Sequence, residues 1–471
     1  MTTKKLGLWS GVGLTLADMV GVGVMTTAGF MALDLSPRLI LLDWLLGGLI
    51  AVSGSLAYAH LAQLVPRSGG EYRYLTSMLH PAVGYVAGWT SLLVGFSVPV
   101  ALAALGAGAF GQTLLPGVDS RVFAAALIVA VTAGHAIGLR VSKWTQDLLA
   151  LAKAVLIGAF VVVGLAFGSN QLPTWTPAEP AAGFPVRAFF TSLIFITFCY
   201  TGWNAATYAS EEFENPRRDV PRAMLIGCLL VTGLYLLVNW VFVTNLTHAD
   251  LSQWIQGDTD RVTLAHLVVK NLMGPGAAVA MSVVVIVALT SAISAMTVIG
   301  PRVYAAMAAD HFLPSILAAR AGKPPLGSLL LQSSLALSLV FLSGFRELLT
   351  NVSSILAIVS ATTVLSLFRR RRWRRGERPA TSAMVGALIY GGMSGWMVWF
   401  SIQSSARVTV LGLPIPTVVL WMVGIVVIAV AAYALTRAVR PDAGVSAPRR
   451  ASDKEKDRYV AVRTSMRPPP A

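Results

Sequence analysis

The sequence predicts an all-α membrane protein, a single bundle of about 12 transmembrane helices, and three observations carry that prediction. Of its 471 residues, 55% are hydrophobic and 12% charged, with mean hydropathy +0.70. Apolar runs long enough for a bilayer core, about 20 residues each, recur along almost the whole chain. The net charge of +15 sits between those runs and in the tail, where basic residues act as topogenic signals. No nucleic-acid partner is expected, because no basic face gathers the charge.

Taken in order, the expected spans cover residues 7 to 33, 39 to 64, 81 to 114, 121 to 140, 144 to 168, 186 to 211, 220 to 245, 275 to 301, 326 to 344, 348 to 368, 383 to 403 and 414 to 436. An even number of spans puts both termini on one side. With that side cytoplasmic, the inner segments hold 28 Lys and Arg and the outer loops seven, namely Arg38, Arg121, Arg187, Arg261, Lys270, Arg346 and Arg407. Without the cluster from Arg369 to Arg378 and the tail, 12 still face seven, so both termini are expected in the cytoplasm of a multi-pass cell-membrane protein. Only Lys4 and Lys5 precede the first long apolar run, which is read as a retained span rather than a signal peptide. Cys199 and Cys228 both fall in spans and none in an outer loop, so neither a disulfide framework nor a disulfide-linked partner subunit is expected.

Two spans are interrupted. In the first, Val20-Gly21-Val22-Gly23-Val24 places two glycines one residue apart, followed by Thr26 and Thr27. Each glycine weakens a helix by about 1 kcal/mol relative to Ala and admits close approach of a ligand to the backbone. Small residues equally let two helices pack. In the sixth, Thr201 and Gly202 sit at mid-span within the stretch FCYTGWNAATYASEEFENPRRDVPRA from Phe198 to Ala223. A break at that depth frees backbone groups that hydrocarbon tolerates only when buried in protein or lining a wet cavity. Matched interruptions in two halves of a chain point to a transporter binding site.

The order aromatic-x-Tyr-x-Gly-Trp, then Glu-Glu, then Asn-Pro-Arg-Arg-x-x-Pro-Arg-Ala, resembles the sixth transmembrane segment of amino acid permeases of the amino acid-polyamine-organocation (APC) superfamily. The Gly-x-Gly of the first span and the turn Val65-Pro66-Arg67-Ser68-Gly69-Gly70-Glu71-Tyr72 resemble the same family, as does RVYAAMAADHFLP from Arg302 to Pro314. The resemblance covers approximately residues 7 to 370. Many relatives carry Ser or another small residue where Val22 stands, which bears on side-chain contact there and not on the backbone. It implies a LeuT-type 5+5 inverted repeat with broken helices 1 and 6. Residues 7–168 then form the first repeat, 186–368 the second, 383–436 two peripheral helices, 1–6 a cytoplasmic N-terminus and 437–471 a basic tail expected to be disordered. The Arg369 to Arg375 run reads as a stop signal that meets anionic lipid.

The expected substrate site lies between the two breaks. A half-helix beginning after Gly23 would aim its N-terminus at a carboxylate, and carbonyls freed near Thr201 would accept from an ammonium. Gly21, Val22, Gly23 and Val24 are assigned backbone contact with the carboxylate, with Thr26 just beyond. Phe198 and Tyr200 are assigned the amino-group side, at the break made by Thr201 and Gly202. Phe198, Trp203 and Asn204 border the side chain in permeases that this chain resembles.

Lys153, within LLALAKAVLIG, is an ammonium near mid-membrane and so a functional-site hypothesis, although a snorkelling lysine is the open alternative. The resemblance implies that it reaches the first and eighth spans, near Gly21 and hydroxyls among Thr290, Ser291 and Ser294, and stands where sodium-coupled relatives hold sodium. Asp18, one turn before the first break, is ranked a partner of Lys153 or vestibule residue above a substrate ligand. His60 and His135 read as packing residues. Arg67, Glu71 and Arg73 can form inner-gate ion pairs, and Glu211 and Glu212 lie near Arg217 and Arg218.

The function expected is sodium-independent transport of an amino acid by alternating access, as exchange or proton-coupled. A neutral substrate is favoured, the order reversing toward a cationic amino acid or polyamine if Asp18 faces the pocket. An amino acid sensor without turnover is the alternative of another class. No HExxH, GxSxG, P-loop or Cys and His cluster with metal spacing is present in the sequence, so neither an enzyme nor a cofactor is expected.

Overall fold

The computed structural model describes residues 6–173, 183–247, 250, 264–318, 324–369, 378–410 and 412–440. The run of Lys4 and Lys5, most of the Arg369 to Arg378 cluster and the tail beyond residue 440 lie outside the described residues. The first span is two helices, α1 (Leu8–Met19) and α2 (Val22–Met31), bent by 40° at Val20 and Gly21. Next come α3 (Pro37–Leu64), α4 (Gly70–Met78) and a long span made of α5 (Pro81–Thr90), a π-helical segment (Ser91–Phe96) and α6 (Ser97–Leu114). Two more helices, α7 (Ser120–Ile137) and α8 (Leu139–Phe167), complete the first half.

The sixth span stops early. Helix α9 (Val186–Cys199) ends at the break, and beyond it lie only one turn, α10 (Ala205–Tyr208), and a 3-10 turn at Ser210–Glu212. The chain continues through α11 (Pro216–Thr244), α12 (Leu264–Met273), α13 (Pro275–Ala309), α14 (Leu326–Leu342), α15 (Phe345–Leu365) and α16 (Thr381–Ser404). A two-stranded antiparallel hairpin, β1 (Arg407–Val410) and β2 (Leu413–Pro416), leads into α17 (Thr417–Val439).

Local chemistry explains several of these boundaries. Pro37, Pro81, Pro216 and Pro275 each stand in the first turn of their helix, where a missing N–H costs nothing and the fixed φ is already helical. Asp119 caps α7 by accepting from the backbone N–H of Arg121 and Val122. The π-helical segment precedes Pro99, which cannot donate to the preceding turn and whose ring crowds it. Ser97 Oγ donates to Leu92 O at 2.7 Å inside that widened turn.

Among the described residues nine helices are long and apolar enough to cross a membrane, ten if α1 and α2 count as one span. By length and composition the count is therefore lower than the twelve expected. The 14 residues of α9 rise only about 21 Å at 1.5 Å each, and α14 has 17. Large exposed apolar side chains such as Leu151, Val155 and Val162 on α8 and Val423, Val427 and Val430 on α17 suit contact with lipid tails, where outward apolar surface carries no penalty.

The core lies where α3 packs along α11 and α13 along α6. One end of the bundle carries Arg67, Arg73, Arg217, Arg302 and Arg369 and is called the basic end below. The other carries the starts of α3, α9 and α15.

Candidate functional site

The two breaks are pressed against each other. A Cβ at Gly23, in the first turn of α2, would collide with Cys199, the last residue of α9. A Cβ at Gly202 would lie 2.8 Å from Asp18 Oδ2 and 3.0 Å from Met19 N, at the end of α1. Gly202 also has φ +98, a region that side chains disfavour. Each break is thus closed by glycine contact with the end of the other half-helix. Thr27 Oγ1 adds a contact to Cys199 Sγ at 3.2 Å.

The C-terminal carbonyls of the half-helices, which lack partners within their own helix, are capped by side chains from elsewhere. Tyr235 OH, on α11, lies 2.6 Å from Met19 O and 2.9 Å from Cys199 O, so one hydroxyl ties α1 to α9. Lys153 Nζ, on α8, donates to Ala17 O and to Val20 O, both at 2.6 Å. The Lys153 side chain is buried, 3% exposed, so it does not snorkel to an interface. Its charge meets the negative end of the α1 dipole. At the start of α2 no side chain caps the helix, which leaves its first backbone N–H groups as donors toward the break.

A central cavity of about 70 Å³ lies beside the second break. Phe198, Thr201, Gly202, Trp203 and Asn204 form one wall, and Asp18 and Glu71 belong to the lining. Thr90 at the end of α5, Ser91, Gly95 and Phe96 from the π-helical turn, and Ser353, Tyr390 and Met397 from α15 and α16 complete it. Gly21, Val22, Gly23, Val24 and Thr26 lie outside this lining. Tyr200 is also turned away: its OH donates to Trp44 O at 3.0 Å, and its ring packs on Trp44 and Tyr235.

Asp18 is buried, and its Oδ1 has no hydrogen-bond partner among the described residues. Glu71 departs from the arginine pairing that its loop suggests. It accepts from Tyr58 OH at 2.9 Å, Tyr208 OH at 2.7 Å and Asn204 Nδ2, three donors beneath the cavity. Arg73 and Tyr72 instead hold Asp310. Glu212 pairs with Arg302, Nε to Oε1 at 2.7 Å, rather than with Arg217 or Arg218, and Arg67 stands 4.0 Å from Glu211.

Two of the three hydroxyls expected around Lys153 are engaged elsewhere, and none is bonded to it. Ser294 Oγ meets His135 Nε2 at 2.8 Å, so His135 does more than pack. Thr290 Oγ1 donates to Ile286 O, and Ser291 Oγ is buried without a partner among the described residues. Tyr235, which joins the two half-helix ends, and the π-helical turn, which lines the cavity, are features that the residue pattern did not single out. A tyrosine within LYLLVN and a proline within SVPVALAA were the available signals.

The family model described as amino acid permease matches residues 6–435. The b(0,+)-type amino acid transporter 1 of Mus musculus is 30% identical over 262 residues, 53% of this chain and 53% of that one. Its Homo sapiens counterpart is 28% identical over 267 residues, with the same shares. The chain therefore spans about half the length of these relatives. Large neutral amino acids transporter small subunit 2 of Homo sapiens is 26% identical over 434 residues, 88% of this chain and 78% of that one.

Proposed function

This chain belongs to the amino acid permease family, and from that premise we propose that it is a sodium-independent amino acid carrier working by alternating access. The observation that carries the proposal is the pair of broken helices whose ends interlock beside a buried cavity that mixes apolar side chains with Asp18, Glu71 and Asn204. Such a break is tolerated only where its backbone serves protein or ligand. In this reading the chain is a twelve-helix, 5+5 inverted repeat, with residues 7–168 and 186–368 as halves, 383–436 as peripheral helices and the basic end cytoplasmic.

In this reading the N–H groups at the start of α2, which lie outside the lining of the central cavity, receive the substrate carboxylate once the two breaks move apart, and carbonyls around Thr201 receive the ammonium. Lys153 takes the place of a coupling cation, because its ammonium already occupies the carbonyls of Ala17 and Val20. Asp18 lines the cavity with one oxygen unpartnered among the described residues, which favours a substrate whose side chain brings a positive charge or hydrogen-bond donors. A neutral substrate is the second reading, favoured by the Phe198, Trp203, Tyr390 and Met397 side of the cavity. The printed names of the relatives support an amino acid in either case.

The test is uptake of radiolabelled L-arginine, L-leucine and a wider amino acid panel into proteoliposomes, with and without sodium, a pH gradient and internal amino acid. Saturable uptake that ignores sodium is expected. Internal amino acid accelerating it identifies exchange, and a pH gradient driving it identifies proton coupling. Binding without uptake would replace the carrier with a sensor.

A further inference from the structure

The floor of the central cavity is a hydrogen-bond network whose directions follow from the groups in it. Glu71 stands in the first turn of α4. Gly70 brings it beneath the second break, with φ +53 and a backbone so close to Tyr208 that a Cβ would collide with the ring. Glu71, Tyr58, Asn204 and Tyr208 are all buried. A carboxylate has no hydrogen to give, so both tyrosines and the amide donate into it.

That arrangement fixes Asn204. Its amide nitrogen carries two hydrogens, one directed at Glu71 Oε1 and the other at Tyr208 OH, 3.0 Å away. Both are engaged in the floor. Oδ1 accepts from no described residue and is the atom that Asn204 has left to offer the cavity it lines.

Much of the remaining lining is turned the same way. Thr90, Ser91, Thr197, Thr201 and Ser353 each donate to a backbone carbonyl three or four residues earlier. A hydroxyl has one hydrogen, so toward the cavity these groups only accept. Asp18 adds a carboxylate with Oδ1 unpartnered among the described residues, and no Lys, Arg or His belongs to the lining. A side chain ending in a cationic nitrogen finds acceptors in Asp18, Asn204 and the hydroxyls. One ending in a carboxylate would meet two carboxylates already there.

We propose that Glu71 is a positioning residue for substrate selection: by holding the Asn204 amide, directly and through Tyr208, it locks Oδ1 toward the substrate and so selects amino acids whose side chain ends in a cationic nitrogen. The proposal rests on the carrier reading of the central site and adds the group that sets its polarity.

The test is equilibrium binding of radiolabelled L-lysine and L-norleucine, which differ by the terminal ammonium, to the purified full chain. The wild type is expected to bind L-lysine about tenfold more tightly or better. Glu71→Gln keeps the shape but presents hydrogens where the wild type only accepts. It should remove most of that preference through L-lysine affinity alone, whereas a general structural defect would weaken both probes together. Because Glu71 acts through Asn204, Asn204→Leu should lower the preference to a similar extent, and adding Glu71→Gln to it should lower it no further. Glu71→Asp, which keeps a carboxylate, should retain more of the preference than Glu71→Gln. If Glu71→Gln does not fold, Tyr208→Phe, which frees one Asn204 hydrogen, takes its place and is expected to lower the preference several-fold.

An unchanged preference in Glu71→Gln or Tyr208→Phe, or losses that add in the double variant, would overturn the positioning role and leave the carrier reading intact. A wild type that binds L-norleucine as tightly as L-lysine would overturn it in favour of the neutral substrate. Binding of neither probe would overturn the polarity, and the uptake panel then decides the carrier reading on its own.

Discussion

Lys153 and Asp43 are buried ionisable residues, one with hydrogen-bond partners and one with none among the described residues, and the difference sets what their replacement should do. Lys153 satisfies two carbonyls that α1 cannot use itself, and a hydrogen bond to a charged group contributes about 1.5–3 kcal/mol. Lys153→Ala strands those carbonyls in the membrane and frees the end of α1. Transport should fall by more than tenfold and the melting temperature should drop, with the variant still expressed and folded in detergent. Full activity would reduce the lysine to a packing residue. Asp43 on α3 is 0% exposed, and both its oxygens lack a partner among the described residues. It shares a stripe with Gly47 and Gly54, four and eleven positions on, where α3 meets Ile196 of α9 and Tyr390 of α16. Leaving a polar group unsatisfied there costs about 1–3 kcal/mol, so Asp43→Leu should melt at a higher temperature than the wild type. A lower melting temperature would mean that the carboxylate has a partner worth more than its burial costs.

Among the elements, the interrupted helices were legible and the devices that join them were not. Gly21, Gly23 and Gly202 announce breaks because a glycine pair or a Thr-Gly at mid-span contradicts helix propensity locally. Tyr235 reads as an ordinary apolar-helix tyrosine, since its role depends on two carbonyls lying 216 and 36 residues away. The hairpin from Arg407 to Pro416 and the short helices α4 and α12 were likewise missed, because ranges set by the span length pass over short elements. Lys153 was singled out by charge alone, whereas the donors around Glu71 needed the fold to bring Tyr58, Asn204 and Tyr208 together. If Tyr235 makes α1 and α9 move as one, Tyr235→Phe should slow amino acid uptake several-fold with little change in apparent affinity or melting temperature. The lost hydrogen bond is worth about 0.5–1.5 kcal/mol, which converts to roughly two- to thirteenfold in rate. Unchanged turnover would leave the hydroxyl a packing detail.

For the whole molecule, the two ends differ in how they are closed. At the opposite end a cavity of about 740 Å³ reaches toward the site. At the basic end Tyr72 and Arg73 hold Asp310, Arg302 clasps Glu212 with two hydrogen bonds, and Leu6 pairs with Phe213 as an isolated bridge. Arg369 caps the end of α4 through Met78 O and Leu79 O. These closures are not equal. Arg67 and Glu211 are about half exposed or more and 4.0 Å apart, and such pairs contribute about 0–1 kcal/mol. Arg73 and Asp310 are 10% and 7% exposed in their side chains, and breaking a buried pair costs about 3–5 kcal/mol. The basic end should therefore open when Asp310 is neutralised and stay shut when Arg67 is truncated. Gly95→Cys supplies a reporter in the central cavity, against native Cys199 and Cys228 that are buried. Labelled from the basic side with a membrane-impermeant thiol reagent, Asp310→Asn in that background should react at least tenfold faster than its parent, and Arg67→Ala at the parent's rate. Equal acceleration by both would assign the closure to surface charge as a whole, and no acceleration by Asp310→Asn would move the lock to the Arg302 and Glu212 pair.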